Sequence, residues 1–195
     1  MISLVRPAVV LLLMLTVLTG GLYPLVVTGV GNALFPAQAG GSLLLANGKV
    51  VGSSLIGQSF TDPQHFWGRL SATTPMAYNA DGSTGSNFGP TNPALLDAAR
   101  ARIAALRAAD PGNRSPIPVD LVTASASGLD PHISPAAALY QVDRIARARG
   151  MDVNALRKLV QEHIEAPQFR IFGESRVNVL LLNLALDGTR LDHAS

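Results

Sequence analysis

The sequence predicts an α/β (α+β) fold, a single soluble domain carried on one N-terminal transmembrane helix, and three observations predict it. Residues 7–30, PAVVLLLMLTVLTGGLYPLVVTGV, lie in a stretch from Pro7 through Gly48 without a charged side chain. That apolar run exceeds the roughly 20 residues a helix needs to cross a hydrocarbon core of about 30 Å. Beyond it, capped amphipathic helical patterns alternate with short strand patterns. The remainder of the 195-residue chain is roughly 150 residues, enough for one core and too short for two.

Composition narrows the function classes. Hydrophobic residues make up 48% and charged residues 14%, which excludes a disordered tail and a multi-span carrier. A formal charge of +2 invites a nucleic-acid partner, yet with Arg6 set aside, 14 basic residues face 13 acidic ones and aromatic content is 5%. No nucleic acid is expected, because such binders gather positive charge and stacking rings on one face. With no cysteine, disulfides and thiol chemistry contribute nothing and stability must come from the core.

Taken in order, the first element must be a helix, the one single-segment structure that satisfies its backbone in lipid. Gly20, Gly21 and Pro24 weaken it near the middle, and Pro24 is expected to kink it. Gly20, Gly21, Pro24 and Gly29 form a candidate interface where a partner's helix, or simply membrane lipid, would pack. Arg6 and the amino terminus flank one end, and Lys49 is the first charge beyond the other. The positive-inside rule therefore puts residues 1–6 in the cytoplasm and the bulk on the outer side of the membrane. Ala37-Gln38-Ala39 has the form of a signal-peptide cleavage site, but the apolar run is far longer than the usual 7–15 residues, which favours an anchor.

Residues 31–41 read as a joint, residues 42–190 as the extracytoplasmic domain and residues 191–195, including His193, as a tail. Leu43 to Leu45 and Val50 to Val51 make a hairpin about Asn47-Gly48, a pair suited to a type I′ turn. Residues 61–93 carry too many Gly, Ser, Asn and Pro for a regular element. Their rings, Phe66, Trp67, Tyr78 and Phe88, either pack on their own domain or form a contact surface; Phe66, Trp67, Arg69 and Asn87 are the candidate partner contacts. A helix from Pro93 should bury Leu95, Leu96, Ala99, Ile103 and Leu106. Val119 to Thr123 reads as a strand. Ser134 caps a helix ending at Gly150, with Leu139, Val142, Ile145 and Ala146 inward. Asp152 caps another, to about Glu165, burying Leu156, Leu159, Val160 and His163. Phe169 to Phe172 suggests a short strand. Val177 to Asp187 is apolar all round, hence buried, and periodicity leaves helix and strand both open.

No catalytic constellation and no metal site is expected. Phosphate loops, dinucleotide fingerprints and nucleophile elbows are missing from the sequence. The four histidines fall at no metal-ligand spacing. One stretch stands out, VTASASGLDPHISP at residues 122–135. Ser125, Ser127 and Gly128 offer hydroxyls and amides, and the Ser134-Pro135 helix start favours an anion. The plain alternative is a tight connection in which Asp130 forms an Asx turn into Pro131.

This stretch resembles the KdpC family of the Kdp potassium-transporting ATPases. The similarity runs through the chain in one order: GGLYPLVVTG, GSSLIGQSF, FWGRLSA, GSNFGPTNP, VTASASGLDPHISP, QVDRIARARG and VNVLLLNLALD. Leu70 stands where the family pattern usually has proline, which bears on the stiffness of that loop. The resemblance implies a subunit of an ATP-driven K⁺ uptake complex, partnered by a channel-like potassium-binding subunit and a P-type ATPase subunit. It implies no cofactor of the chain's own, with ATP and K⁺ handled through the complex. The family role is that of a catalytic chaperone raising the ATPase subunit's affinity for ATP. Nucleotide contact would fall on Ser125, Ser127, Gly128 and Gln141, whereas the topology places these residues outside the membrane, where ATP is scarce. The alternative is a membrane-anchored periplasmic hydrolase using Ser125 or Ser127 with His132, or a binding protein unrelated to transport.

Overall fold

The computed structural model describes residues 2–192 and divides into two compact units, the boundary falling after Leu43. In the first unit, helix α1 (Ile2–Val17) passes through a π-helical segment, Leu18–Leu22, into α2 (Tyr23–Leu34). A short turn of helix, α3 (Pro36–Ala39), follows. The apolar helix Ser3–Leu34 is 32 residues long with none of its apolar window buried. It outruns the expected 7–30 boundaries and takes up part of the expected joint. A helix that is apolar all round and uncovered by its own chain suits an apolar solvent, and its length fits a single membrane pass. Where Pro24 was expected to kink the helix, the wider turn appears just before it. The Tyr23 N–H bonds to the Leu18 carbonyl, a five-residue step that absorbs the missing proline N–H and its ring.

In the second unit, β1 (Leu43–Ala46) and β2 (Lys49–Ser53) form the expected hairpin. Asn47 and Gly48 hold φ of 52° and 72°, as a type I′ turn requires. Asp192 closes on this hairpin: its N–H donates to the Leu45 carbonyl at 2.8 Å, and its carboxylate accepts from the Gly48 N–H at 2.8 Å. The expected tail is thus tied down as far as Asp192, and His193 lies outside the described residues.

Helix α4 (Pro93–Ala109) starts on an Asn92 cap and buries Leu106. Leu96, expected inward, is 52% exposed, because the helix is covered along a narrow stripe only. The expected strand at 119–123 is instead a 3₁₀ turn, Val119–Leu121; it drives Leu121 into the core and turns Val119 outward. Helix α5 (Pro135–Arg149) runs from the Ser134 cap to Gly150 at φ 65°. Leu139 lies on its exposed side, another departure, since polar Gln141 and Arg144 take positions on the buried face. Helix α6 (Val153–Glu162), capped by Asp152, stops earlier than expected so that β4 (Ile164–Glu165) can pair.

That pairing forms an antiparallel sheet of order β3-β5-β4, with β3 at His132–Ile133 and β5 at Arg176–Asn178. Val177 faces both Ile133 and Ile164 in register. The ambiguous run from Val177 is both things in turn. After β5, Asn178 caps α7 (Val179–Leu186) by accepting from the Leu181 N–H at 3.2 Å. The expected strand at Phe169 to Phe172 is a tight turn closed by a Gln168–Phe172 bridge.

Residues 62–70, a segment with almost no regular structure, start exposed at 62–64 and enter the core at Phe66 and Trp67. Phe66 is fully buried and Trp67 nearly so, so these two rings pack within their own domain, while Phe88 is 39% exposed. The Asn183 side-chain amide accepts from the Phe66 N–H at 2.9 Å and donates to the Phe66 carbonyl at 3.0 Å. Gln141 repeats this on Trp67, at 2.8 and 3.1 Å. Successive residues of an extended chain turn their polar groups to opposite edges, so α7 clamps one edge and α5 the other. Replacing Asn183→Leu keeps the branched shape and orphans both Phe66 groups, each costing about 1–3 kcal/mol. We expect a clearly lower unfolding midpoint by circular dichroism of the detergent-solubilised chain, against a change under about 0.5 kcal/mol for Leu96→Ala.

Candidate functional site

The stretch singled out at 122–135 interlocks with the loop that follows the central segment. The Ser125 N–H donates to the Leu70 carbonyl at 2.9 Å, beside a parallel Leu70–Ala124 bridge. Ser71 Oγ donates to the Gly128 carbonyl at 2.7 Å, and the Thr84 N–H to the Ser127 carbonyl at 3.0 Å. Gly128, at φ 69°, has no room for a side chain: a Cβ there would lie 2.6 Å from the Thr84 carbonyl oxygen. Tyr78 lies against Gly57 and Gly68 and donates its hydroxyl to the Arg69 carbonyl at 2.6 Å.

The groups that promised anion recognition are engaged within the chain. Ser125 Oγ accepts from the Gly128 N–H and Ser127 Oγ from the Leu129 N–H, both at 3.1 Å, and the two hydroxyls lie 3.1 Å apart. Asp130 forms the Asx turn, accepting from the His132 N–H at 3.0 Å. At the start of α5 the chain supplies its own carboxylate: Asp120 accepts from the Ser134 N–H at 2.7 Å and the Ser134 hydroxyl at 3.2 Å. Gln141 is 1% exposed. Besides clamping Trp67, it donates to the Ala137 carbonyl and accepts from Arg144. Thus Ser125, Gly128 and Gln141 are buried and bonded, and Ser127 alone of the four is exposed.

Of the candidate partner contacts in the loop, Asn87 is exposed and Arg69 half-buried. Arg69 donates to Asp130 at 3.2 Å and to the Ala124 carbonyl at 3.2 Å. It lines an open cleft of about 560 Å³ with Asp130, His132, Glu174 and Arg176. An apolar groove of about 590 Å³ is lined by Leu70, Phe88, Leu95, Ala98 and Val122. At Gly20, Gly21 and Gly29 a Cβ would meet nothing within 4 Å beyond its chain neighbours and the nearby backbone of its own helix.

His132 does not pair with either serine hydroxyl. Its Nδ1 lies 3.3 Å from Asp130 and its Nε2 3.8 Å from Glu165. Burial opposes ionisation of Asp130, but the His132 hydrogen bonds and the Arg69 charge outweigh it and hold the carboxyl below its usual range. Among the described residues no group of His, Asp and Glu is arranged to hold a metal ion.

Sequence reasoning missed Asn183, Arg102 and Arg144. Both guanidiniums lie over the Trp67 ring, 4.9 and 4.8 Å from its centre, and both bond carbonyls of the central segment. Burial pulls Arg144 down to about 10. A polar residue recurring on an otherwise apolar helix face was the available signal.

Comparison with known proteins gives one consistent result. The family described as "KdpC: K+-transporting ATPase, c chain" matches residues 5–188. A potassium-transporting ATPase KdpC subunit from Polaromonas naphthalenivorans is 65% identical over 188 residues, 96% of each chain. Its counterpart in Ralstonia nicotianae is 65% identical, covering 94% of this chain and 90% of the relative. That of Sorangium cellulosum is 60% identical, covering 97% and 100%.

Burial pushes the Tyr78 hydroxyl up from 10.0 to about 12. A raised folded value stabilises fully below the ordinary one and is lost as pH climbs between the two. Spectrophotometric titration of the folded chain should find a tyrosine that ionises near pH 12, with stability to denaturant falling as pH rises above 10, and Tyr78→Phe should remove that late ionisation.

Proposed function

Because the chain belongs to the KdpC family, the c chain of K⁺-transporting ATPases, we propose that it is a non-catalytic assembly subunit of an ATP-driven potassium uptake complex. The observation that carries this reading is the uncovered apolar helix Ser3–Leu34, joined to a domain whose conspicuous polar groups are spent on its own packing. Such a protein works by holding neighbours. Its natural partners are a channel-like potassium-binding subunit and a P-type ATPase subunit, with ATP and K⁺ handled by them. Arg6 before the helix and Lys49 as the next charge support a cytoplasmic N-terminus and an extracytoplasmic domain in the bacterial inner membrane.

A chaperone-like gain in ATP affinity belongs to this reading as an effect transmitted through contacts between neighbouring proteins of the complex. The burial of Ser125 and Gln141 supports contact-borne action over direct nucleotide binding. A hydrolase has no support from His132, whose nitrogens face carboxylates.

Two measurements test this. Gly20→Leu with Gly21→Leu should cut co-purification of the larger subunits from detergent extracts several-fold while leaving the domain's melting temperature unchanged; undiminished recovery would remove the helix from the interface. Calorimetry of ATP against the full chain alone should give no binding heat. Saturable binding abolished by Gln141→Ala would replace contact-borne action with direct nucleotide contact.

A further inference from the structure

Between β4 and β5 the chain folds back on itself at a point where a polar turn would be the ordinary solution. The Phe172 N–H donates to the Gln168 carbonyl and the Gln168 N–H to the Phe172 carbonyl, both at 2.9 Å. The two residues at the tip, Phe169 and Arg170, hold φ of 53° and 62°. Glycine and asparagine adopt that left-handed conformation readily, and a bulky aromatic does so only at a cost. The result is outward presentation: Phe169 is 79% exposed, Ile171 78% and Phe172 67%. One exposed apolar side chain is commonplace, but three within four positions on one turn form a contiguous apolar tip. Arg176 at its base pairs with Glu165 at 2.9 Å, whereas Arg170 forms no ion pair among the described residues.

We propose that this tip enters the interfacial layer of the bilayer that the N-terminal helix crosses, the rings and Ile171 among the upper acyl carbons and Arg170 at the phosphates. The inference rests on the anchor reading of that helix. Two observations favour lipid over a protein groove. Aromatic and aliphatic side chains around an unpaired arginine are the composition of interfacial segments, because the guanidinium reaches the headgroups while the apolar groups sit below. The tether is also short: residues 35–42 separate α2 from β1, and at about 3.5 Å per residue they span at most about 28 Å. The domain therefore meets a lipid surface at high local concentration.

The chain has no cysteine, so single nitroxide labels can be placed on the full chain at Ile171→Cys, Phe169→Cys, Ala105→Cys on the exposed side of α4, and Val10→Cys within the helix. After reconstitution into phosphatidylcholine–phosphatidylglycerol vesicles, both tip labels should collide with oxygen in several-fold excess over a water-soluble nickel chelate, relative to Ala105. Unchanged melting by circular dichroism checks the fold. Tip labels matching Ala105 while Val10 reports lipid would overturn the proposal and leave the anchor intact. A Val10 label reporting water would overturn the anchor itself. Tip labels shielded only after the larger ATPase subunits are added would reassign the tip to a protein contact.

Discussion

A stretch of chain that crosses a protein interior without neighbouring strands must find partners for its backbone some other way. Residues 62–70 meet that demand almost wholly with side chains. The Asp62 carbonyl accepts from the Trp67 indole, those of Pro63 and His65 from Arg144, and that of Gln64 from Arg149. Asn183, Gln141, Arg102 and Tyr78 take Phe66, Trp67, Gly68 and Arg69 in turn. Three helices and the loop of Tyr78 are thereby bound to one another through a single extended segment. Buried Gln141, Arg144 and Asn183 are explained by this, since each is retained where a backbone group of the segment would otherwise be stranded.

The same economy runs through residues 122–135. Hydroxyls, a tight glycine and a helix start are combined there as they are in many phosphate sites. Here Asp120 closes the helix start and the serines close the turn. The segment consequently acts as a brace between the loop of Ser71 and Tyr78 and the small sheet. A rigid body of this kind is suited to presenting surfaces, in keeping with a protein whose relatives belong to a larger ATPase.

What could be read from the sequence was what local geometry decides. Ser134 and Asp152 cap their helices because a short polar side chain reaches an amide three residues on, and Asn47-Gly48 turns because both tolerate positive φ. Hidden from it were pairings across long separations: Asn183 with Phe66 is 117 residues distant and Gln141 with Trp67 is 74. Those same pairings moved Phe66 and Trp67 from a possible surface to the core. Leu96 and Leu139 were misplaced because periodicity defines a stripe without saying how much of it a neighbour covers. The change from strand to helix at Asn178 was invisible for a related reason. A run apolar on every side carries no period, and only the competition between sheet pairing and the cap at that asparagine resolves it.

The π-helical segment at Leu18–Leu22 alters the geometry of the rod that contains it. One additional residue in a turn sets back the azimuth of everything after it by about 100°. A stripe of side chains traced up α1 therefore does not continue up α2; it resumes more than a quarter-turn away. The rod offers two staggered facets, one per half, so a straight neighbour lying along the first must part from the second.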